Sequence, residues 1–110
     1  MEDGLYTIRF GNAGGSGSGI AYLQAGKLRG GDASMAYVGS YNYNTVTEQF
    51  DADVRIFKHT DVTGISSIFG KDDIDAKFRG IVSGNSGAIA GSSPAAPGMN
   101  ITVHLERLCD

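Results

Sequence analysis

From Thr47 to Lys58 the chain alternates almost without a break: Phe50, Ala52, Val54 and Ile56 interleave with Asp51, Asp53 and Arg55. Successive side chains of an extended strand point to opposite faces, so this spacing makes one face dry and the other wet. A helix would scatter the same residues around its circumference. The period recurs along the whole chain. Tyr6, Ile8 and Phe10 share one face of a first strand, and Ile20-Ala21-Tyr22-Leu23 leads through a tight turn at Ala25-Gly26-Lys27 into Lys27–Asp32. Tyr37, Tyr41 and Tyr43 fall on one parity, with Gly39 between them as a point where the strand can bend. Ile74, Ala76 and Phe78 alternate with Asp73, Asp75, Lys77 and Arg79, running on to a turn at Gly84-Asn85-Ser86-Gly87 and back through Ala88-Ile89-Ala90. A last strand sets Ile101, Val103 and Leu105 against Thr102, His104 and Glu106.

No helix-period segment competes with these strands. Seventeen glycines in 110 residues is more than twice the usual frequency of about 7%. Helix interiors tolerate glycine poorly, whereas turns, bulges and bent strands use it. Asn12–Gly19 reads as a flexible polar link, Ser92–Gly98 as a proline-containing loop, and residues 61–71 as either a wandering connection or a short strand. Roughly seven or eight short strands at intervals of about 8–12 residues are the pattern of an all-β barrel or sandwich. Short connections favour a small up-and-down antiparallel barrel of about eight strands, with strand glycines at the bends that close it. A β-sandwich is the alternative. The length fits one domain, residues 1–110.

The charge pattern narrows the function classes. A net charge of −3 with no Lys/Arg cluster argues against direct nucleic-acid binding. Cys109 has no partner for an internal disulfide, Met1-Glu2-Asp3-Gly4 does not resemble a signal peptide, and no apolar run approaches the ~18 residues of a membrane span. A cytoplasmic protein is expected.

No grouping speaks for chemistry. The glycine-rich Asn12–Gly19 lacks the Lys-Ser/Thr pair and following helix of a phosphate loop. His59 and His104 stand outside any metal-ligand spacing, so no metal or other cofactor is expected. Asp51 and Asp53 belong to a wet face, where nothing raises a carboxyl pKa for acid–base work. An enzyme is therefore not expected. Two binding roles stay open. Asp72, Asp73 and Asp75 form an acidic turn and strand start suited to a basic protein partner. Tyr37, Tyr41, Phe50 and Phe78 are candidates to line a cavity for a small apolar ligand, because an eight-stranded barrel can be wide enough to hold one. Tyr22 and Phe57 lie off the apolar parity of their segments, as residues of a dimer face would.

The ordered pattern Glu2-Asp3-Gly4-Leu5-Tyr6-Thr7-Ile8, Gly19-Ile20, Lys27-Leu28 and Gly30-Gly31-Asp32 ahead of Tyr37 and Gly39 resembles the GrlR-like family, bacterial negative regulators of type III secretion. The match is strongest over residues 3–43; further on it is one of strand pattern, including Asn100–Leu108. The resemblance implies a calycin-like barrel, a homodimer, and regulation by binding a protein, with lipid in the barrel cavity as a further expectation. The family regulator's acidic motif of alternating Glu and Asp is absent: after Tyr43 this chain has Asn44-Thr45-Val46-Thr47-Glu48-Gln49. Its particular partner is therefore not carried over.

Overall fold

The computed structural model describes residues 1–12, 15–64 and 67–110. Alternation is realised as eight antiparallel strands: β1 (Gly4–Asn12), β2 (Gly15–Gln24), β3 (Lys27–Gly31), β4 (Met35–Tyr43), β5 (Gln49–Lys58), β6 (Asp73–Ser83), β7 (Ser86–Ser92) and β8 (Ile101–Cys109). Each pairs with its neighbour in sequence, and β8 returns to β1 from Leu5↔Cys109 to Gly11↔Thr102 to close an up-and-down barrel. The closing ladder decides between barrel and sandwich. Closure gives every strand a neighbour on both sides, although β3 reaches only Ile20–Gln24 of β2, so that Gly15–Gly19 pair with β1 alone. Among the described residues no helix is long and apolar enough to cross a membrane.

The two ends differ. Tight turns join β2 to β3, β4 to β5 and β6 to β7 at one end, where both chain termini also lie. At the other end the β5–β6 and β7–β8 connections are long. At the tight end Ala25 and Gly26 both have positive φ, 49° and 82°. That is the backbone of a type I′ hairpin, whose twist matches the strands it joins. Gly84, φ 65°, opens the β6–β7 turn. Tyr6, Leu23, Val82 and Phe50 are buried behind these turns. The Tyr6 hydroxyl donates to the Glu2 carbonyl at 2.5 Å, and Tyr43 donates to the Val82 carbonyl at 2.6 Å. Large side chains with satisfied hydroxyls thus plug this end.

Three features of the chain depart from the sequence reading or complete it. Most of the expected Asn12–Gly19 link is strand: Gly15 to Gly19 pair with β1 from Asn12 to Ile8, and only Ala13-Gly14 lie outside the described residues. Small residues read as linker because the aromatic rings that cover them come from elsewhere in the chain. The β6–β7 turn is tighter than Gly84–Gly87, since Ser86 and Gly87 are already in β7. The described part of 61–71 is a turn-rich connection in which Phe69 is 1% exposed.

Gly39, expected from the sequence as a bend point, is where β4 and β5 pack too closely for a side chain. A Cβ there would stand 2.9 Å from the Val54 Cα and nearer still to the Asp53 carbonyl oxygen. Strands β4 and β5 approach at this point as only glycine permits.

Candidate cavity site

Several inward-facing positions are small. Gly17, Gly19 and Gly91 toward the long-loop end, and Ala21 and Ala52 deeper in the barrel, stand where larger residues would fill it. The aromatic rings nearby lie flat on the wall over these glycines. Phe10 covers Gly17, Phe78 covers Gly91, and Tyr37 reaches across the barrel wall to Gly19, where a Cβ would be 2.9 Å from its hydroxyl oxygen and 3.2 Å from Cε2. Rings laid on glycines cover the backbone without entering the centre, so the middle of the barrel stays hollow.

The resulting cavity has a volume of about 290 Å³. Aliphatic side chains make most of its wall, among them Ile8, Leu28, Val54, Ile89 and Val103. Phe50 and Ala52 lie toward the plugged end, while Asp32, Ala33, Ser67 and Ile68 come from the long-loop end. The β5–β6 connection is tied across that end by several bonds. Ser34, fully buried, donates through its hydroxyl to the Thr60 carbonyl at 3.2 Å, and its own carbonyl accepts from His59 N–H at 2.9 Å. The His59 ring is 3.0 Å from the Asp32 carbonyl, and Asn12 donates to the Ile68 carbonyl at 3.1 Å.

Of the cavity residues named from sequence, Tyr37, Phe50 and Phe78 line the space. Tyr41 is not part of the lining. It stacks on Phe50, ring centroids 5.5 Å apart and planes 21° from parallel, and so supports the lining from behind. Sequence parity puts Tyr41 on the inner face, but parity says nothing about depth along the barrel axis.

Asp32 also lines the cavity and was visible in the sequence only as part of a turn. Its Oδ1 accepts the backbone N–H groups of Ser34 (2.9 Å) and Met35 (2.8 Å), which shapes the β3–β4 turn. Its Oδ2 accepts the Tyr37 hydroxyl. Burial, with the Asp32 hydrogen bond and charge behind it, pushes the Tyr37 phenol far above its ordinary pKa of 10.0, so Tyr37 is fixed as a neutral donor. An aspartate ahead of a strand with an inward tyrosine five residues later is the signal that could have identified the pair.

The acidic residues read as a partner contact are exposed, and two of them are engaged within the chain. Asp73 takes a two-pronged bond from Arg55, at 3.0 and 2.8 Å, and Asp72 pairs with Lys58 at 3.3 Å. Asp75 sits opposite Arg55 in the ladder. The Arg55 guanidinium holds the Asp73 carboxyl below its usual range and lies 4.4 Å over the Phe57 ring. With Asp51–Arg79 at 2.6 Å and Asp53–Lys77 at 2.8 Å, the outer face of β5 and β6 is a charge ladder. Among the described residues no three of His, Cys, Asp and Glu gather to hold a metal ion. Compared with known proteins, the chain matches no family model and no curated sequence.

Proposed function

We propose that this protein is a non-enzymatic binding protein that holds one small apolar molecule in its barrel. The observation that carries this reading is the hollow, mainly aliphatic interior of about 290 Å³. An apolar cavity of about 150 Å³ takes up benzene, so this one suits a ligand of about ten to twelve carbon-sized atoms. Native protein interiors leave few voids larger than a water molecule, and here glycines and alanines keep the space open. Desolvation of the ligand supplies the driving force, at about 25 cal/mol per Å² of apolar surface buried. The test is titration with naphthalene, a neutral ten-carbon probe, followed by calorimetry, with native mass spectrometry for any co-purified molecule. Saturable one-to-one binding is expected; absence of both naphthalene binding and a retained molecule would sink the reading.

A second reading, a homodimeric regulator that sequesters a protein, is supported by the outer face of β1 to β4. The register places Leu5, Tyr22, Arg29 and Val38 in one row and Ile20, Gly31, Ala36 and Phe57 of β5 in the next. Ile20 and Tyr22 are 46% and 38% exposed. Outward apolar residues grouped in adjacent rows, with Arg29 the one charge among them, are a feature of association surfaces. On this reading a second copy of the chain covers the patch and the dimer captures its target, in keeping with the GrlR-like resemblance; Ile20→Glu converts the dimer to monomer in light scattering. An unchanged mass for the variant, or a monomeric parent, removes the reading. The cytoplasm is the compartment proposed for either role, where the exposed thiol of Cys109 would stay reduced.

A further inference from the structure

Asp32 is the only charged residue lining the cavity among the described residues; no Lys, Arg or His contributes to the wall. A carboxylate has acceptor sites for about four donors. Oδ1 of Asp32 is committed to the two backbone N–H groups of the β3–β4 turn, whereas Oδ2 has the Tyr37 hydroxyl as its partner. Oδ2 therefore keeps acceptor capacity. The turn fixes the carboxylate in place, because losing either backbone bond would open the start of β4. Tyr37 is held in turn by the glycine beneath its ring at position 19. The two groups lie at the long-loop end of a mainly apolar space, beside Ser16, Ser18 and Ser67, which gives the cavity an apolar depth and one polar pole that carries a single charge.

We propose, resting on the reading of the cavity as a ligand site, that Asp32 and Tyr37 select single-chain amphiphiles whose polar head donates hydrogen bonds, amines above all and alcohols next, and that the cavity rejects carboxylates. The chemistry of the pole leads there directly. An ammonium head gains a charge-assisted bond to Oδ2 in a site of low dielectric. A hydroxyl head gains a neutral one. A carboxylate head meets a like charge with no cation on the wall to offset it, and finds only neutral donors there, the phenol already engaged by Asp32 and the hydroxyls of Ser16, Ser18 and Ser67. Medium-chain fatty acids of about eight to ten carbons, whose chains would fit, are thus disfavoured by charge.

The experiment is a matched titration of the whole protein at neutral pH with octylamine, 1-octanol and octanoate, alongside naphthalene as the headless control. The expected order of affinity is octylamine, then octanol, then octanoate, with about tenfold or more between the first and the last. Asp32→Asn keeps an oxygen for the turn while removing the charge, and is expected to abolish the gap between amine and carboxylate. Should that variant fail to fold by circular dichroism, Tyr37→Phe decides: freeing Oδ2 leaves octylamine at least as tightly bound as before, whereas a tenfold loss would mean that the phenol reads the head and would overturn the role given to Asp32. Naphthalene binding with equal affinity for all three octyl compounds, or with octanoate best, overturns the selectivity alone. Failure of naphthalene and all three amphiphiles removes the cavity reading itself.

Discussion

Phe10 and Gly17 face each other across β1 and β2, and the Phe10 ring fills the place a side chain at position 17 would take: a Cβ there would stand 2.7 Å from Cε2. The obstacle is the end of a side chain that has cavity on its other side. Gly17→Ala should therefore displace the ring inward rather than distort the barrel, reducing apolar-ligand affinity severalfold while lowering stability by only about 1 kcal/mol. At Gly39 the obstacle is backbone of β5. Gly39→Ala should lower stability by about 2–3 kcal/mol or more, since neither strand can give way without losing ladder bonds. Urea unfolding of both variants checks the contrast, and similar losses for the two would contradict it.

The turn between β2 and β3 is built on a residue poorly suited to it. Ala25 adopts φ 49°, a left-handed conformation that costs a residue with a Cβ about 1–2 kcal/mol. Gly26 beside it is free of that strain, and Ala25 is exposed. Ala25→Asn or Ala25→Gly should raise the unfolding midpoint, by a stabilisation of about 0.5–1 kcal/mol, with no effect on the cavity at the other end of the barrel. A drop in stability for both variants would show that the turn is not held as described.

Burial of Tyr37 gives the fold an alkaline limit. Below the ordinary tyrosine pKa of 10.0 both folded and unfolded chains keep the phenolic proton, and the contribution of Tyr37 is fully present. Above it the unfolded chain releases the proton while the folded chain retains it, so stability falls by up to about 1.4 kcal/mol per pH unit for this one group. Tyr6 and Tyr41, also raised chiefly by burial, add in the same direction. Tyr37→Phe removes one such term and, at neutral pH, the hydrogen bond to Asp32, worth about 1 kcal/mol. The variant should start less stable at pH 8 and close the gap as pH rises from 10 toward 12. A constant gap across that range would mean that Tyr37 ionises in the folded protein as it does in water.

The barrel was largely legible because alternation in β5, β6 and β8 is a local property: Phe50 to Ile56, Ile74 to Phe78 and Ile101 to Leu105 declare their faces without help from other strands. The Gly15–Gly19 segment of β2 was not legible. Gly17 and Gly19 face inward under Phe10 and Tyr37, and a strand whose side chains are supplied by other strands has no period of its own. Phe69 was hidden for a related reason, since a lone aromatic in a turn-rich connection shows no periodicity to say that it is buried. In the cavity, parity brought out Tyr37, Phe50 and Phe78 but could not separate them from Tyr41, because depth along the axis depends on register and strand tilt. Asp32 was read as turn chemistry, which is half of what it does.

Filling the cavity tests whether the hollow serves binding or stability. Ala52 lines the wall on β5, is buried, and pairs in register with Tyr41 and Phe78. Ala52→Leu adds three carbons that point into space already present, so it should bury further apolar surface without expelling a neighbour and stabilise the protein by about 1–2 kcal/mol. A core selected for packing would already have used that gain. A barrel kept open for a ligand forgoes it, as binding sites commonly do. The same variant should lose naphthalene binding by at least about tenfold, because the added side chain takes a substantial part of a space suited to about ten to twelve atoms. Stability up with binding down would show that the empty volume belongs to the ligand. Stability down would show instead that the wall at Ala52 is already close-packed in solution and that the hollow lies elsewhere or closes.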